Sequence, residues 1–213
     1  SGKGLLRHLY LRYGKNTGEI MLCIVLNGEK MPCESDFIKT ILTDFPCVKS
    51  IQINVNTKNT NVVLGNTYRT LYGERYIEDV LCGVKFRITP ESFYQVNHDG
   101  AELLYSLAAQ KATEGFDKKI SLVDMYCGTG TIGLSMADRV SELVGVEIVE
   151  GAVECAKINA KINGFENAKF YAGDAKDIES LFTSVEAQHG ALNPDVVILD
   201  PPRKGCTPEV IEF

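Results

Sequence analysis

The stretch LVDMYCGTGTIG, residues 122–133, decides the fold. Its apolar first half predicts a buried strand over 122–126, and Gly128, Gly130 and Gly133 spell G-x-G-x-x-G where a helix should begin. Glycines at such a turn allow a tight bend and a close approach of a ligand to the backbone. The order of strand, glycine turn and helix predicts one unit of a parallel α/β sheet, with a nucleoside-containing ligand at the turn.

Short apolar runs alternate with helical patterns on both sides of this stretch. Asn97 is placed to cap a helix in which Leu103, Leu104 and Leu107 form an apolar face. Further strands are expected at 143–148, 169–171 and 196–199, and further helices at 130–137 and 151–162. Because this alternation is typical of parallel sheets covered by helices, residues 91–213 are predicted to form a doubly wound, Rossmann-like α/β domain.

The front of the chain follows a different pattern. Residues 1–90 are predicted to form a small α+β domain of antiparallel strands, with strands at 7–13, 19–26, 48–55, 61–64 and 84–88. Asn27-Gly28 is a hairpin signal at the end of the second of these strands. Ser35-Asp36 can cap a helix that Pro46 would end.

Composition excludes several classes of protein. The chain has 213 residues, 45% of them hydrophobic and 23% charged, which argues against disordered and fibrous proteins. No apolar run approaches the roughly 18 residues of a membrane span. Seven cysteines without a C-x-x-C pair favour free thiols in the cytoplasm over disulfides, zinc or any other metal site.

The net charge of −6 is unevenly distributed. Residues 1–98 hold 12 basic and 9 acidic side chains, and residues 99–213 hold the remaining 10 and 19. A mildly basic front half can face nucleic acid, whereas an acidic rear half would repel it. Ordinary solvated surfaces are the alternative explanation of both halves.

Four carboxylates are predicted near the carboxyl ends of the four parallel strands, in chain order Asp124, Glu147, Asp174 and Asp200. Such strand ends meet at the ligand crevice of a parallel sheet. A ring of acids would oppose the pyrophosphate of a dinucleotide, but it suits the cationic sulfonium and ammonium groups of S-adenosyl-L-methionine (SAM). The sequence therefore favours SAM. An NAD-dependent oxidoreductase stays open as an alternative, because the glycine turn and Glu147 also fit that fingerprint.

Two further motifs suggest contacts with a base. Asp200 is followed by Pro201 and Pro202, which make a stiff turn, and then by Arg203. A guanidinium suits a phosphate or an oxygen-rich base, although a surface ion pair is the alternative. Upstream, the aromatic pair in Phe93-Tyr94-Gln95 can stack on a base while the amide binds its edge.

Together these motifs closely resemble the RNA uracil-C5-methyltransferases, which make 5-methyluridine in ribosomal or transfer RNA. The resemblance covers almost the whole chain and rests on FYQVN (93–97), DMYCGTGT (124–131), VE (146–147) and DPPRKG (200–205), with GLLRH (4–8) similar to the start of the family's central domain. It implies an incomplete class I SAM-dependent methyltransferase sheet, SAM as cofactor and RNA as substrate, with 23S ribosomal RNA favoured over tRNA. It also implies that Gln95, Tyr126, Glu147 and Asp200 contact SAM. The glycine turn adds Gly128 to this set, and strand geometry adds Asp174.

The same resemblance implies a catalytic cysteine. In that family a thiolate adds to uracil C6, C5 of the resulting enolate takes the methyl group, a base removes the C5 proton and the thiol leaves. The family's cysteine follows the Asp-Pro-Pro-Arg motif in a Ser-Cys-Asn/Asp context, which the 213 residues do not contain. Cys206 and Cys127 lie outside that context, so the catalytic residues stay unassigned.

Two expectations follow from the missing cysteine context. The chain is predicted to be a truncated form of a longer enzyme, inactive alone, with its strand at 196–199 as an exposed edge. The iron–sulfur cysteine cluster of some family members is missing as well. As a second alternative, the chain can be a non-catalytic RNA-binding module that acts through Arg7, His8, Arg12 and Lys15.

Overall fold

The computed structural model describes residues 4–59, 61–177, 183 and 193–212. The chain divides into two compact units. The front unit comprises Ser1–Val80 with Arg87–Glu91, and the rear unit comprises Leu81–Phe86 with Ser92–Phe213. The boundary between the units falls within a two-stranded hairpin, which consists of β5 (Ile77–Leu81) and β6 (Val84–Ile88). The chain therefore crosses the boundary more than once.

The front unit is built on a four-stranded sheet with one helix. Its elements are β1 (Leu6–Tyr13), β2 (Ile20–Leu26), α1 (Glu34–Asp44), β3 (Val48–Val55) and β4 (Thr67–Gly73), with the strands in the order β1-β2-β3-β4. β1 and β4 pair antiparallel with their neighbours, but β2 and β3 are parallel. The prediction of antiparallel strands therefore holds for the β1–β2 and β3–β4 pairs and is wrong for the β2–β3 pair. Asn27-Gly28 leads into α1 instead of a hairpin, and a strand that returns after a helical crossover runs parallel.

One face of this sheet packs against α1. Leu22, Ile24, Ile51 and Ile53 belong to its buried cluster, and apolar side chains of the helix cover them. The strand predicted at 61–64 is wrong. This segment is a loop, because the side chain of buried Asn54 bonds both the carbonyl and the N–H of Gly65, at 2.8 and 2.7 Å.

The rear unit contains a four-stranded parallel sheet. Its elements are α2 (His98–Thr113), β7 (Ile120–Met125), α3 (Thr131–Leu134), β8 (Val140–Glu147), α4 (Glu150–Ile162), β9 (Ala168–Ala172), β10 (Val196–Leu199) and α5 (Pro208–Glu212). The strand order is β10-β7-β8-β9, and every pair is parallel. This arrangement confirms the predicted α/β fold class.

β10 lies at an edge of that sheet, as expected, and pairs with β7 alone among the described strands. Val197 and Leu199 are 46% and 42% exposed there.

No helix in the described ranges has the length and apolarity that a membrane crossing requires.

Helix α2 begins as predicted, because the Asn97 side chain accepts a hydrogen bond from the N–H of Gly100 at 3.0 Å. Its buried face, however, is not the leucine face. Leu103, Leu104 and Leu107 are exposed, and the helix instead buries Tyr105 together with small alanines. Helical spacing identified the helix but could not tell which face is buried.

Candidate cofactor site

The glycine turn after β7 has three residues in the left-handed backbone region. These are Tyr126 (φ 63°), Gly128 (φ 56°) and Gly130 (φ 80°). A side chain at Gly130 would also crowd Leu134 and Phe170, each 3.1 Å from an added Cβ, whereas one at Gly128 would enter open space. Tyr126 is not a glycine, and such conformations cost free energy and cluster at functional sites. The turn therefore offers open space beside backbone that is held in one shape.

Asp124 does not face the crevice, contrary to the prediction of four ringed acids. It is fully buried in β7, and its Oδ2 accepts a hydrogen bond from the N–H of Gly133 at 2.9 Å. Its Oδ1 is buried without a hydrogen-bond partner in the part of the chain that the structure describes. Burial raises the pKa of Asp124 to about 7, the Gly133 N–H opposes this shift, and Asp200 and Glu147 add to it. Asp124 is thus buried and holds the turn through the N–H of Gly133.

The raised pKa of Asp124 has a consequence for stability. Its folded value of about 7 lies above the ordinary 3.8, so the folded state holds this proton more tightly than the unfolded state. Between about pH 4 and 7, ionisation of Asp124 therefore lowers the free energy of unfolding as pH rises. We expect Asp124→Asn to remove this part of the pH dependence, measured by urea unfolding across that range. Asp138→Asn, at an exposed site, should keep the wild-type slope. Equal slopes in wild type and Asp124→Asn would contradict this assignment.

Glu147 closes the site from the neighbouring strand. It ends β8, and its Oε2 accepts the N–H of Gly128 at 3.1 Å while Oε1 accepts the N–H of Val149 at 2.9 Å. Each carboxylate oxygen keeps a further lone pair for a ligand hydroxyl. Ile148, which follows it directly, is 62% exposed. An acceptor pair beside an exposed apolar side chain suits a ribose with an attached flat base.

A second polar group near the turn contains Gln95, which was predicted as a site residue, and Tyr105 and Thr131, which were not. The hydroxyl of Tyr105 lies 3.4 Å from Oγ1 of Thr131, and the side chain of Gln95 is near enough to oppose the rise in the pKa of Tyr105. Burial raises the pKa of Tyr105, and the nearby carboxylates Asp200 and Asp124 raise it further. Gln95 and Asp200 are thus brought close to the turn, as predicted. Tyr105 and Thr131 were missed, because Tyr105 stands among leucines in the sequence.

A third group contains Tyr126, Asp174 and Cys206. Burial raises the pKa of Tyr126, and the nearby Cys206 thiol and the charge of Asp174 raise it further. Tyr126 and Cys206 also pack against the apolar cluster under the sheet tips. The structure therefore places Asp174 beside Tyr126, the residue at the start of the turn.

A buried amide holds the turn from the helix side. Asn159 in α4 is fully buried, and its Nδ2 donates to the carbonyl oxygen of Thr129 at 3.1 Å. Sequence reasoning missed this residue. An asparagine at an otherwise apolar position of a helix face was the available signal, because a buried amide needs partners.

The structure places the remaining candidate site residues in different environments, some buried and some exposed. Tyr94 is a core residue that packs on Phe86 with ring centroids 6.4 Å apart, whereas Phe93 is 72% exposed, so the predicted aromatic pair is split. Cys127 is buried, and burial raises the pKa of its thiol, which makes it a poor nucleophile. Arg203 is exposed and makes no ion pair within residues 193–212 or the other described ranges.

One group of side chains could hold a metal ion by distance alone. Ligand atoms of His98, Asp99 and Glu102, in the first turns of α2, all lie within 4.8 Å of one another. Glu102 already accepts a hydrogen bond from the N–H of Cys82 at 3.1 Å. Neighbouring positions on one helix turn explain this proximity without a metal.

Comparison with known proteins agrees with this geometry. Residues 116–201 match the family described as "Methyltransferase domain". The fold is that of the class I SAM-dependent methyltransferases, so the predicted fold class is confirmed.

Relatives and a solved structure cover the chain beyond that domain. An uncharacterized RNA methyltransferase of Halalkalibacterium halodurans is 43% identical over 96% of this chain and 43% of its own length. One of Clostridium acetobutylicum is 45% identical over 97% of this chain and again 43% of its own. The crystal structure of a Pyrococcus abyssi tRNA (uracil-54, C5)-methyltransferase with S-adenosyl-L-homocysteine superposes with a TM-score of 0.77, at 29% identity, over 99% of this chain and 47% of that one. The chain thus spans less than half the length of these proteins.

Proposed function

We propose that this chain carries the SAM-binding part of an RNA methyltransferase that acts on C5 of uridine, with 23S ribosomal RNA as substrate in preference to tRNA. The observation that carries the proposal is the position of Glu147. Its carboxylate bridges the glycine turn and the start of the next helix at the tips of a parallel sheet. The two bacterial relatives are RNA methyltransferases by name, which supports RNA as the substrate class.

The residues at the turn fit each part of SAM. Glu147 accepts hydrogen bonds from the ribose hydroxyls, and Ile148 offers an apolar surface to the adenine. The space beside Gly128 is open to the ligand. Asp200 and Asp174 supply negative charge for the ammonium and sulfonium groups. Bound there, SAM supplies an electrophilic methyl group, and this chain's residues orient it.

The geometry disfavours the NAD alternative. A pyrophosphate needs N–H groups and the positive end of a helix dipole, which grows with helix length. Here the helix after the turn, α3, is only four residues long. The same crevice holds the carboxylates of Glu147 and Asp200, which would repel a dinucleotide.

Transfer to uridine C5 requires a thiolate at C6, and we propose that this chain does not supply it. None of its seven cysteines lies in a Ser-Cys-Asn/Asp context. Cys127 is buried, and Cys206 is half-buried and packs with Tyr126 against the same apolar cluster. Arg203, held out on a rigid proline pair, is proposed to position the RNA rather than to react.

The cofactor half of this proposal is tested by calorimetry on the chain itself. We expect S-adenosyl-L-homocysteine to bind and NADH not to bind. In the same preparation, tritiated methyl groups should not pass to unmodified 23S rRNA fragments or tRNA transcripts. Binding of NADH alone would overturn the proposal, and methyl transfer abolished by Cys206→Ala would identify Cys206 as the nucleophile.

The uridine target is tested with the C. acetobutylicum relative. RNA treated with that protein is digested, and its methylated nucleosides are identified by mass spectrometry. We expect 5-methyluridine in 23S rRNA at a higher yield than in tRNA. Any other methylated nucleoside as the main product would reject the uridine assignment.

A further inference from the structure

A polar basin of about 580 Å³ lies at one end of the front sheet. It opens where β2 and β3 end and β1 begins. Its polar lining consists of Arg7, His8, Asn27, Thr57, Lys58 and Asn59, and this set is called the front basin. Loops after the carboxyl ends of parallel strands are where α/β sheets commonly bind ligands, and β2 and β3 are such a parallel pair.

The charge of the front basin is positive. Arg7 and Lys58 line it, and none of the described residues that line it is a carboxylate. A larger depression beside α4 also carries lysines, but Glu166 lines it as well, and two of its three lysines, Lys157 and Lys169, form ion pairs with glutamates at 2.8 and 2.9 Å. The front basin is therefore the better place for an anion.

The floor of the front basin is held in shape by hydrogen bonds. Arg7 donates through Nη1 to the carbonyl oxygens of Asn56 and, at 2.8 Å, of Lys58. Asn56 is 4% exposed, and its Oδ1 accepts the N–H of Lys58 at 3.2 Å. Its Nδ2 donates to the carbonyls of Val62 and Val63 at 2.8 and 3.1 Å. Lys58 is thus presented from an ordered loop, which lowers the entropy cost of binding through it.

The other lining groups are free for a ligand. Within the described residues the side chains of His8, Asn27, Thr57 and Asn59 make no hydrogen bond. Two cations surrounded by amide, hydroxyl and imidazole groups, without an acid, match the phosphodiester oxygens of a nucleic-acid strand. We propose that the front basin binds the phosphate backbone of the RNA substrate, an inference that rests on RNA being the substrate as proposed above.

The test measures binding of a labelled single-stranded RNA to the whole chain by fluorescence anisotropy at several salt concentrations. We expect the double variant His8→Ala/Lys58→Ala to bind about tenfold more weakly. For Lys58→Ala, the slope of log affinity against log salt should fall by about 0.7, the value for one lost phosphate contact on a single strand. Arg7 is left unchanged because it holds the loop.

Lys39→Ala is the matched control, because it removes the same charge from an exposed position of α1 in the same unit. It should bind RNA like the wild type. Unfolding temperature and S-adenosyl-L-homocysteine affinity should be unchanged in every variant, which separates this inference from the proposed cofactor site.

Four outcomes would overturn the proposal. The first is that the wild-type protein binds no RNA, and the second is that the double variant binds RNA as tightly as the wild type. The third is that Lys39→Ala loses as much RNA affinity as the double variant. The fourth is that polyglutamate binds as tightly as RNA and that this binding depends on Lys58. Each can occur while S-adenosyl-L-homocysteine still binds, so the cofactor assignment would survive any of them.

Discussion

Replacing Glu147 with glutamine is expected to weaken S-adenosyl-L-homocysteine binding by about 100-fold, corresponding to roughly 2 to 3 kcal/mol. Both carboxylate oxygens accept backbone N–H groups, one from Gly128 and one from Val149. In either orientation of the amide, its NH₂ group therefore faces a donor. The turn would shift, and one acceptor for the ribose would be lost. Isothermal titration calorimetry measures this change directly.

Glu154→Gln is the control, since it makes the same chemical change at an exposed position on α4. Its affinity should match the wild type. A Glu147→Gln affinity within about threefold of wild type would contradict the role given to this carboxylate.

Replacing Gly145 with alanine is expected to destabilise the rear unit by about 3 kcal/mol. Gly145 lies in the middle of β8, and an added Cβ would come within 2.3 and 2.6 Å of the Phe170 ring and 3.0 Å of Cys127 Sγ. Phe170 is buried in β9 and cannot swing away. A fall in melting temperature of about 10 °C, followed by circular dichroism, is the expected result.

Gly151→Ala separates this clash from a general effect of alanine. Gly151 lies in α4 with nothing within 4 Å of an added Cβ, so its substitution should leave stability unchanged or raise it slightly. Adding Phe170→Leu to Gly145→Ala should restore part of the loss. A Gly145→Ala protein as stable as the wild type would show that β8 and β9 are less tightly packed than described.

The parallel sheet could be predicted because its signals are local. β10 (Val196–Leu199) was placed without error, and β7 and β8 within three residues at each end, since apolar runs bounded by turns identify buried strands. The pairing of β2 with β3 could not be predicted in this way, because strand direction depends on what connects the strands. There the helix α1 overrode the Asn27-Gly28 hairpin signal.

For the site, the sequence predicted which residues lie near the turn more accurately than it predicted the surroundings of each side chain. Gln95 and Glu147 were predicted from their motifs to lie near the turn, and the structure places both there. Asp124 shared the acidic chemistry of the others, yet its position inside β7 buries it completely. Burial of one side chain depends on packing from several elements, which spacing along a strand does not reveal. For the same reason the motif joined Phe93 to Tyr94, although only Phe93 is exposed.

Three side chains from three elements form hydrogen bonds with backbone groups of the glycine turn. They are Asp124 from β7, Glu147 from β8 and Asn159 from α4. The crevice thus keeps its form only while strands and helix remain assembled. Partial unfolding of the rear unit would abolish ligand recognition at once rather than by degrees.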